Sequence, residues 1–211
     1  MIDVTHQINA ARRVVGRRTL ETGEARTVVV SQTYATGIDD LWDACTNAER
    51  IQRWFLPVSG ELRLHGRYQL EGNAGGEILT CDPPRAFTAT WEYGDEVTWI
   101  ELQLTTESPE RTRFELAHIA HVDDERWGEF GPGAVGVGWD LGLLGLFLHL
   151  QSGDAVDPAE FAAWSAGPDG RQFATLSSEG WRDAAIEAGD DPSAAQEAAA
   201  RTTAAYTGTE G

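Results

Sequence analysis

Between Ala134 and Leu150 the chain carries a segment too apolar for a half-exposed element. Val135, Trp139, Leu143, Leu146 and Leu150 recur at helical spacing, and Leu141, Leu144 and Leu148 widen the stripe over most of the girth. Such a helix must be mostly buried, so the rest of the chain has to wrap around it. Asp140 and the four glycines between Val135 and Leu150 interrupt it. With its modest length, they predict a core rod and not a bilayer span. Glycine inside a helix costs up to ~1 kcal/mol relative to alanine. The line Gly138, Gly142 and Gly145 therefore predicts a close approach, with C-terminal helices as the candidate neighbours, or space left for something else.

The wrapping element is legible as a switch to period two. Ala25–Tyr34 is a first β-branched strand. Ile38–Ala44 then reads as a helix, with Asp39 and Asp40 in its first turn. Asn47 can cap a second short helix carrying Ile51, Trp54 and Phe55, which Pro57 stops. Six strands follow: Glu61–Leu64, Arg67–Leu70, Glu77–Cys81, Ala86–Tyr93, Val97–Thr106 and Arg111–His121. His65-Gly66, Asp82-Pro83-Pro84-Arg85 and Glu107–Glu110 are too short for crossovers, so the sheet is antiparallel. Alternation puts Phe87, Ala89 and Trp91 on one face. It likewise groups Ile100, Leu102 and Leu104, and Phe114, Leu116 and His118. The expected class is α+β: about seven antiparallel strands curved around the long helix.

The flanks read differently. Residues 1–24 form an arm, with a short helix expected over Ile2–Val15 and a basic cluster at Arg12, Arg13, Arg17 and Arg18 that seeks acidic partners. Residues 25–152 form the main domain. Residues 153–211 read as a helical extension packed on it, its helices starting at Asp157-Pro158 and Asp191-Pro192. Ser193 with Gln196 resembles a capping box.

Charge narrows the partners. The 211 residues carry a net charge of −18, and all 16 basic side chains are arginine. A field of that sign disfavours nucleic acid and anionic membrane surfaces. Cys45 and Cys81 stand in no metal or redox spacing and read as buried or inert thiols. The N-terminal residues lack the apolar core of a signal peptide, so a cytoplasmic location is expected.

The order strand, two short helices, six-stranded meander and long helix resembles the helix-grip fold of the SRPBCC superfamily, which includes START and birch-pollen-allergen proteins. The resemblance is to the branch typified by the activator of heat-shock-protein-90 ATPase, in a form similar to actinobacterial members. The residues that carry it are Val29–Tyr34; Ile38-Asp-Asp-Leu-Trp42 with Ala48–Phe55; Gly60–Tyr68; Gly76-Glu-Ile-Leu79 with Pro83-Pro84-Arg85; Thr112–His118; and Gly131–Asp140. The resemblance implies a cavity between sheet and helix.

Candidate walls for that cavity are Trp54, Phe55, Tyr68, Phe87, Trp91, Phe114, Leu116, Trp139, Leu143 and Leu146, with Trp127 and Phe130 on a loop at its mouth. The same side chains also suit a core that fills itself. His118 follows Phe114 and Leu116 inward, where it can hydrogen-bond a ligand, act as acid or base, or simply be a satisfied core histidine. His121 faces the other way, which argues against a metal pair. His65 and His149 read as solvated. Asp140 is expected at an exposed edge or paired with an arginine. Gly72–Gly76 joins two strands without a lysine or a following helix, so it is no phosphate loop.

No cofactor, metal or catalytic constellation is indicated. The expected function is binding of a small hydrophobic or aromatic ligand. A cyclase, dehydratase or hydrolase using His118 and a co-chaperone-like protein-binding module are the alternatives. A homodimer or protein partner stays open.

Overall fold

The computed structural model describes residues 2–122 and 124–208. Residue 1 of the expected arm and residues 209–211 of the expected extension lie outside that range. The elements run α1 (Val4–Ala10), β1 (Arg12–Leu20), β2 (Gly23–Tyr34), α2 (Ile38–Thr46), α3 (Ala48–Ile51), β3 (Val58–Gly60), β4 (Arg67–Leu70), β5 (Gly75–Asp82), β6 (Ala86–Tyr93), β7 (Glu96–Ser108), β8 (Arg111–Ala120), α4 (Asp124–Phe130), α5 (Gly133–Ser152), α6 (Pro158–Ala166), α7 (Pro168–Glu187) and α8 (Pro192–Thr207). The strands form one eight-stranded antiparallel sheet in the order β1-β2-β8-β7-β6-β5-β4-β3. The class is α+β with a long apolar helix, consistent with a helix grip.

The added strand is β1, whose first residues, Arg12–Val15, fall in the expected helix Ile2–Val15. The N-terminal helix stops at Ala10 because Ala11 is extended, at φ −91° and ψ 129°. Beyond it Val15 is buried while Val14 is exposed, the period of a strand. A second correction concerns Glu61–Leu64, which is not a strand; β3 lies earlier, at Val58–Gly60, and pairs with β4. Gly60 turns the chain with φ +100°, and a Cβ there would sit 2.2 Å from the Arg67 carbonyl oxygen. His65 also turns with a positive φ of 61°.

Two compact units result, with boundaries inside β2 and inside α5. One comprises Ser31–Ala120 and Leu144–Val156. It holds the meander β3–β8, α2, α3 and the C-terminal half of α5. Each successive pair from β3 to β8 is antiparallel. Register groups the inward residues as expected: Phe87 opposite Leu102 and Leu102 opposite Leu116; Ala89 opposite Ile100 and Ile100 opposite His118. Asp40 and Asp43 of α2 pair with Arg50 of α3, each at 3.0 Å. Arg50 donates onward to His149 Nε2 of α5 at 3.0 Å, tying three helices together.

The other unit comprises Met1–Val30, His121–Leu143 and Asp157–Gly211. Helix α7 packs on α8, α6, α1 and β1. Asp157 and Asp191 cap α6 and α8 as expected, each followed by a proline. The cap of α8 is Asp191 itself, and not the Ser193–Gln196 box.

Helix α5 is 20 residues long, enough by length and composition alone to cross a membrane. Inside it, however, Asp140 and His149 are each 2% exposed and both are hydrogen-bonded, the pattern of a core helix. Its glycines serve different neighbours. A Cβ at Gly136 would meet the Trp181 indole of α7 at 2.3 Å, and one at Gly145 would meet the Trp54 carbonyl oxygen at 2.3 Å. A Cβ at Gly138 would lie an ordinary 3.4 Å from the Tyr206 hydroxyl of α8. The C-terminal helices therefore approach most closely at Gly136, outside the glycine line read from the sequence.

Candidate functional site

The inward face of the β6–β8 meander supplies the candidate surface. Central positions Ala89, Ile100, Leu102, Leu104, Phe114 and Leu116 are buried. Phe87 and Trp91 on β6 are only half-buried, as are Trp54, Phe55 and Tyr68. The aromatics touch one another at ring-contact distances: Trp54 and Phe55 at 5.4 Å, and Tyr34 and Phe114 edge-on at 6.3 Å. Trp42 of α2 meets Phe87 edge-on at 6.3 Å and belongs to the same surface, although sequence reading left it out. The signal was present: Trp42 shares a helical face with Ile38, Leu41 and Cys45.

Trp54 is fixed at both ends. Its indole N–H donates to the Ala44 carbonyl at 2.9 Å, and its own carbonyl lies where a side chain at position 145 would sit. The Tyr68 hydroxyl donates to the Thr90 carbonyl at 2.7 Å, and burial raises its pKa. Leu146, on the half of α5 in this unit, is fully buried.

His118 is 6% exposed. Its Nε2 and Thr98 Oγ1 are 2.9 Å apart, and the Trp91 ring lies edge-on at 6.2 Å. Burial pushes its pKa down to about 4, so the imidazole is neutral at physiological pH. Of the two histidines expected to be solvated, His65 is and His149 is not. The His65 side chain is 70% exposed, but His149 is buried, its Nδ1 donating to the Asp154 carbonyl at 2.7 Å and its Nε2 accepting from Arg50. The carbonyl can only accept and the guanidinium only donate, which sets the tautomer. His121 lies past β8, bonded to Thr22 Oγ1 and the Glu24 carbonyl. Among the described residues, no group of three or more His, Cys, Asp or Glu side chains could hold a metal. Burial pushes the Cys45 thiol up to about 12, so it stays protonated and unreactive; Cys81 is exposed.

The remaining candidate walls lie in the other unit. Leu143 is buried and Trp139 half-buried. Trp127 and Phe130 line a cleft of about 330 Å³ with residues of β1, β2, α7 and α8. Asp140 is paired with an arginine, one of the two outcomes read from the sequence. Its Oδ2 accepts from Arg13 Nε at 2.8 Å, from Trp181 Nε1 at 3.0 Å and from the Ser177 hydroxyl. Oδ1 and the Nη2 of Arg13 are buried without hydrogen-bond partners among the described residues. Burial raises the Asp140 pKa against the opposing pull of Arg13 and the two neutral donors.

One family model, Activator of Hsp90 ATPase homolog 1-like protein, matches residues 35–143, from the end of β2 into the middle of α5. The chain belongs to that family. The family sits within the SRPBCC superfamily, and membership implies a ligand-binding cavity. CalU16 from Micromonospora echinospora is similar over more than the family segment. Its crystal structure is 34% identical, covers 86% of this chain and 99% of its own, and has a TM-score of 0.66. Its solution structure is 33% identical, with coverages of 85% and 97% and a TM-score of 0.68. EF2215 from Enterococcus faecalis, a conserved protein of unknown function, shares the fold at 13% identity, a TM-score of 0.58 and coverages of 83% and 92%. No curated protein matches the chain.

Proposed function

We propose that this family member binds a small hydrophobic or aromatic molecule against the aromatic face of its sheet, without cofactor chemistry of its own. The half-burial of Trp42, Trp54, Phe55, Phe87 and Trp91 around a fully buried β7–β8 centre carries the reading. A self-filling core buries its aromatics completely, whereas a ligand surface leaves rings to be covered. His118 serves as a neutral polar group beside Trp91. An acid or base works best with a pKa near the operating pH. A value of about 4 therefore favours a hydrogen-bonding role over the cyclase, dehydratase or hydrolase reading. The charge of −18 keeps nucleic acid and anionic membranes out of the proposal and suits a cytoplasmic solute-binding protein.

Tryptophan fluorescence titrations with flat aromatic dyes test this, together with native mass spectrometry of protein purified from its own host. Binding should fall at least about tenfold in Trp91→Ala and Phe87→Ala variants that still melt cooperatively, the loss of one buried ring contact. Binding that ignores both substitutions, or no binding by any probe, would sink the proposal.

A further inference from the structure

The cleft lined by Trp127 and Phe130 has a chemistry that ligand binding at the sheet does not absorb. Its volume, about 330 Å³, falls at the lower end of small-molecule sites, roughly 300–1,000 Å³. One wall is small and apolar, with Ala195, Ala198 and Ala199 of α8 buried in the bare protein. Another is the Trp127 ring, held rigidly by its N–H bond to Asp190 at 2.7 Å and by the Arg26 guanidinium 4.4 Å from the ring centre.

The polar rim is largely neutralised from within. Arg26 pairs with Asp124 at 2.7 Å and approaches Asp190 at 4.0 Å. Arg182 pairs with Asp183 and donates to Gln196. Asp191 is committed to capping α8. Arg17 also lines the cleft, and its guanidinium makes no hydrogen bond or ion pair with another described side chain. A guanidinium with no side-chain partner among the described residues, in a cleft that has one alanine wall, matches an anionic head on a slender apolar body. A planar carboxylate is the best fit, because the guanidinium fork takes it through two parallel hydrogen bonds.

We infer that this cleft is a second binding site, for an apolar monocarboxylate whose chain lies along α8 and whose carboxylate meets Arg17. The test uses the full chain, with decanoate, decanol and inorganic phosphate as probes. The readout is the Trp127 indole N–H resonance, assigned with Trp127→Phe. Decanoate should shift that resonance saturably. Arg17→Glu, a change at an exposed strand position, should weaken decanoate at least about tenfold, while Arg17→Lys loses less. Decanol and phosphate, each lacking half of the recognition, should bind at least about tenfold more weakly. Equal binding of phosphate and decanoate, or an Arg17→Glu variant as tight as the parent, overturns the assignment. So does decanoate that shifts only resonances of Trp91 and His118, a result that would leave the sheet-face proposal standing.

Discussion

Arg13→Met removes the cation from a buried ion pair whose side chains are 7% and 1% exposed. Breaking such a pair from one side leaves an uncompensated buried charge and costs about 3–5 kcal/mol. Here Ser177 and Trp181 still donate to Asp140, which places the expected loss at the lower end, about 3 kcal/mol. For a chain of 211 residues, each kcal/mol lowers Tm by about 2–4 °C, so the variant should melt roughly 6–12 °C early.

The loss should depend on pH in a definite direction. Burial already raises the Asp140 pKa, and removing Arg13 removes its chief opposition. A carboxyl with a raised folded-state pKa binds more protons folded than unfolded between the two values, so stability falls as pH rises through that window. The deficit of Arg13→Met should therefore be full near about pH 7.5 and shrink on acidification toward about pH 4, as Asp140 protonates. Adding Asp140→Asn keeps an oxygen for Ser177 and Trp181 and eliminates the buried charge. The double variant should thus recover about 2 kcal/mol relative to Arg13→Met alone. Urea unfolding of parent, singles and double at several pH values gives the cycle. A loss below about 1 kcal/mol, a pH-independent deficit, or no recovery in the double variant would refute the argument.

Three further outcomes are expected. The His118 ring resonances should stay in their neutral form down to about pH 5 by NMR. Its folded pKa lies below the unfolded value, so it contributes stability above about pH 6.5 that is lost as pH falls toward 4, in total about 3 kcal/mol; ring protonation near pH 6.5 contradicts this burial. Gly136→Ala should destabilise by about 1–3 kcal/mol despite better helix propensity, because the Trp181 ring is immobilised 2.3 Å from the new carbon; chemical denaturation reads the change. Gly145→Ala should force α5 away from the Trp54 backbone and weaken apolar dye binding, measured by titration, with unchanged affinity counting against the role of Trp54.

Much of the architecture was legible because strand alternation and helix capping are local. The faces of β6, β7 and β8 follow from period two alone, and the observed register aligns them. Asp157-Pro158 and Asp191-Pro192 mark helix starts from two residues each. Strand β1 was misread because Ile8, Ala11 and Val15 also fit helical spacing. Only pairing into the sheet resolves that ambiguity.

The site divides along the same line. An inward His118 on an aromatic face was legible, because Phe114, Leu116 and His118 lie two residues apart. Half-burial was not, since how far a ring is covered depends on elements distant in sequence. Nor was the wiring of polar groups inside the core. Arg13 meets Asp140 across 127 residues, Arg50 meets His149 across 99, and Trp127 meets Asp190 across 63. Sequence by itself determined the apolar rod at α5, the sheet that must cover it and the side of each strand that faces inward. The tertiary structure alone decided the partner of each buried charge, the glycines that admit a neighbour and the existence of the α8 cleft. Pattern is a property of adjacent residues, whereas charge neutralisation and close approach are set by the packing of remote ones.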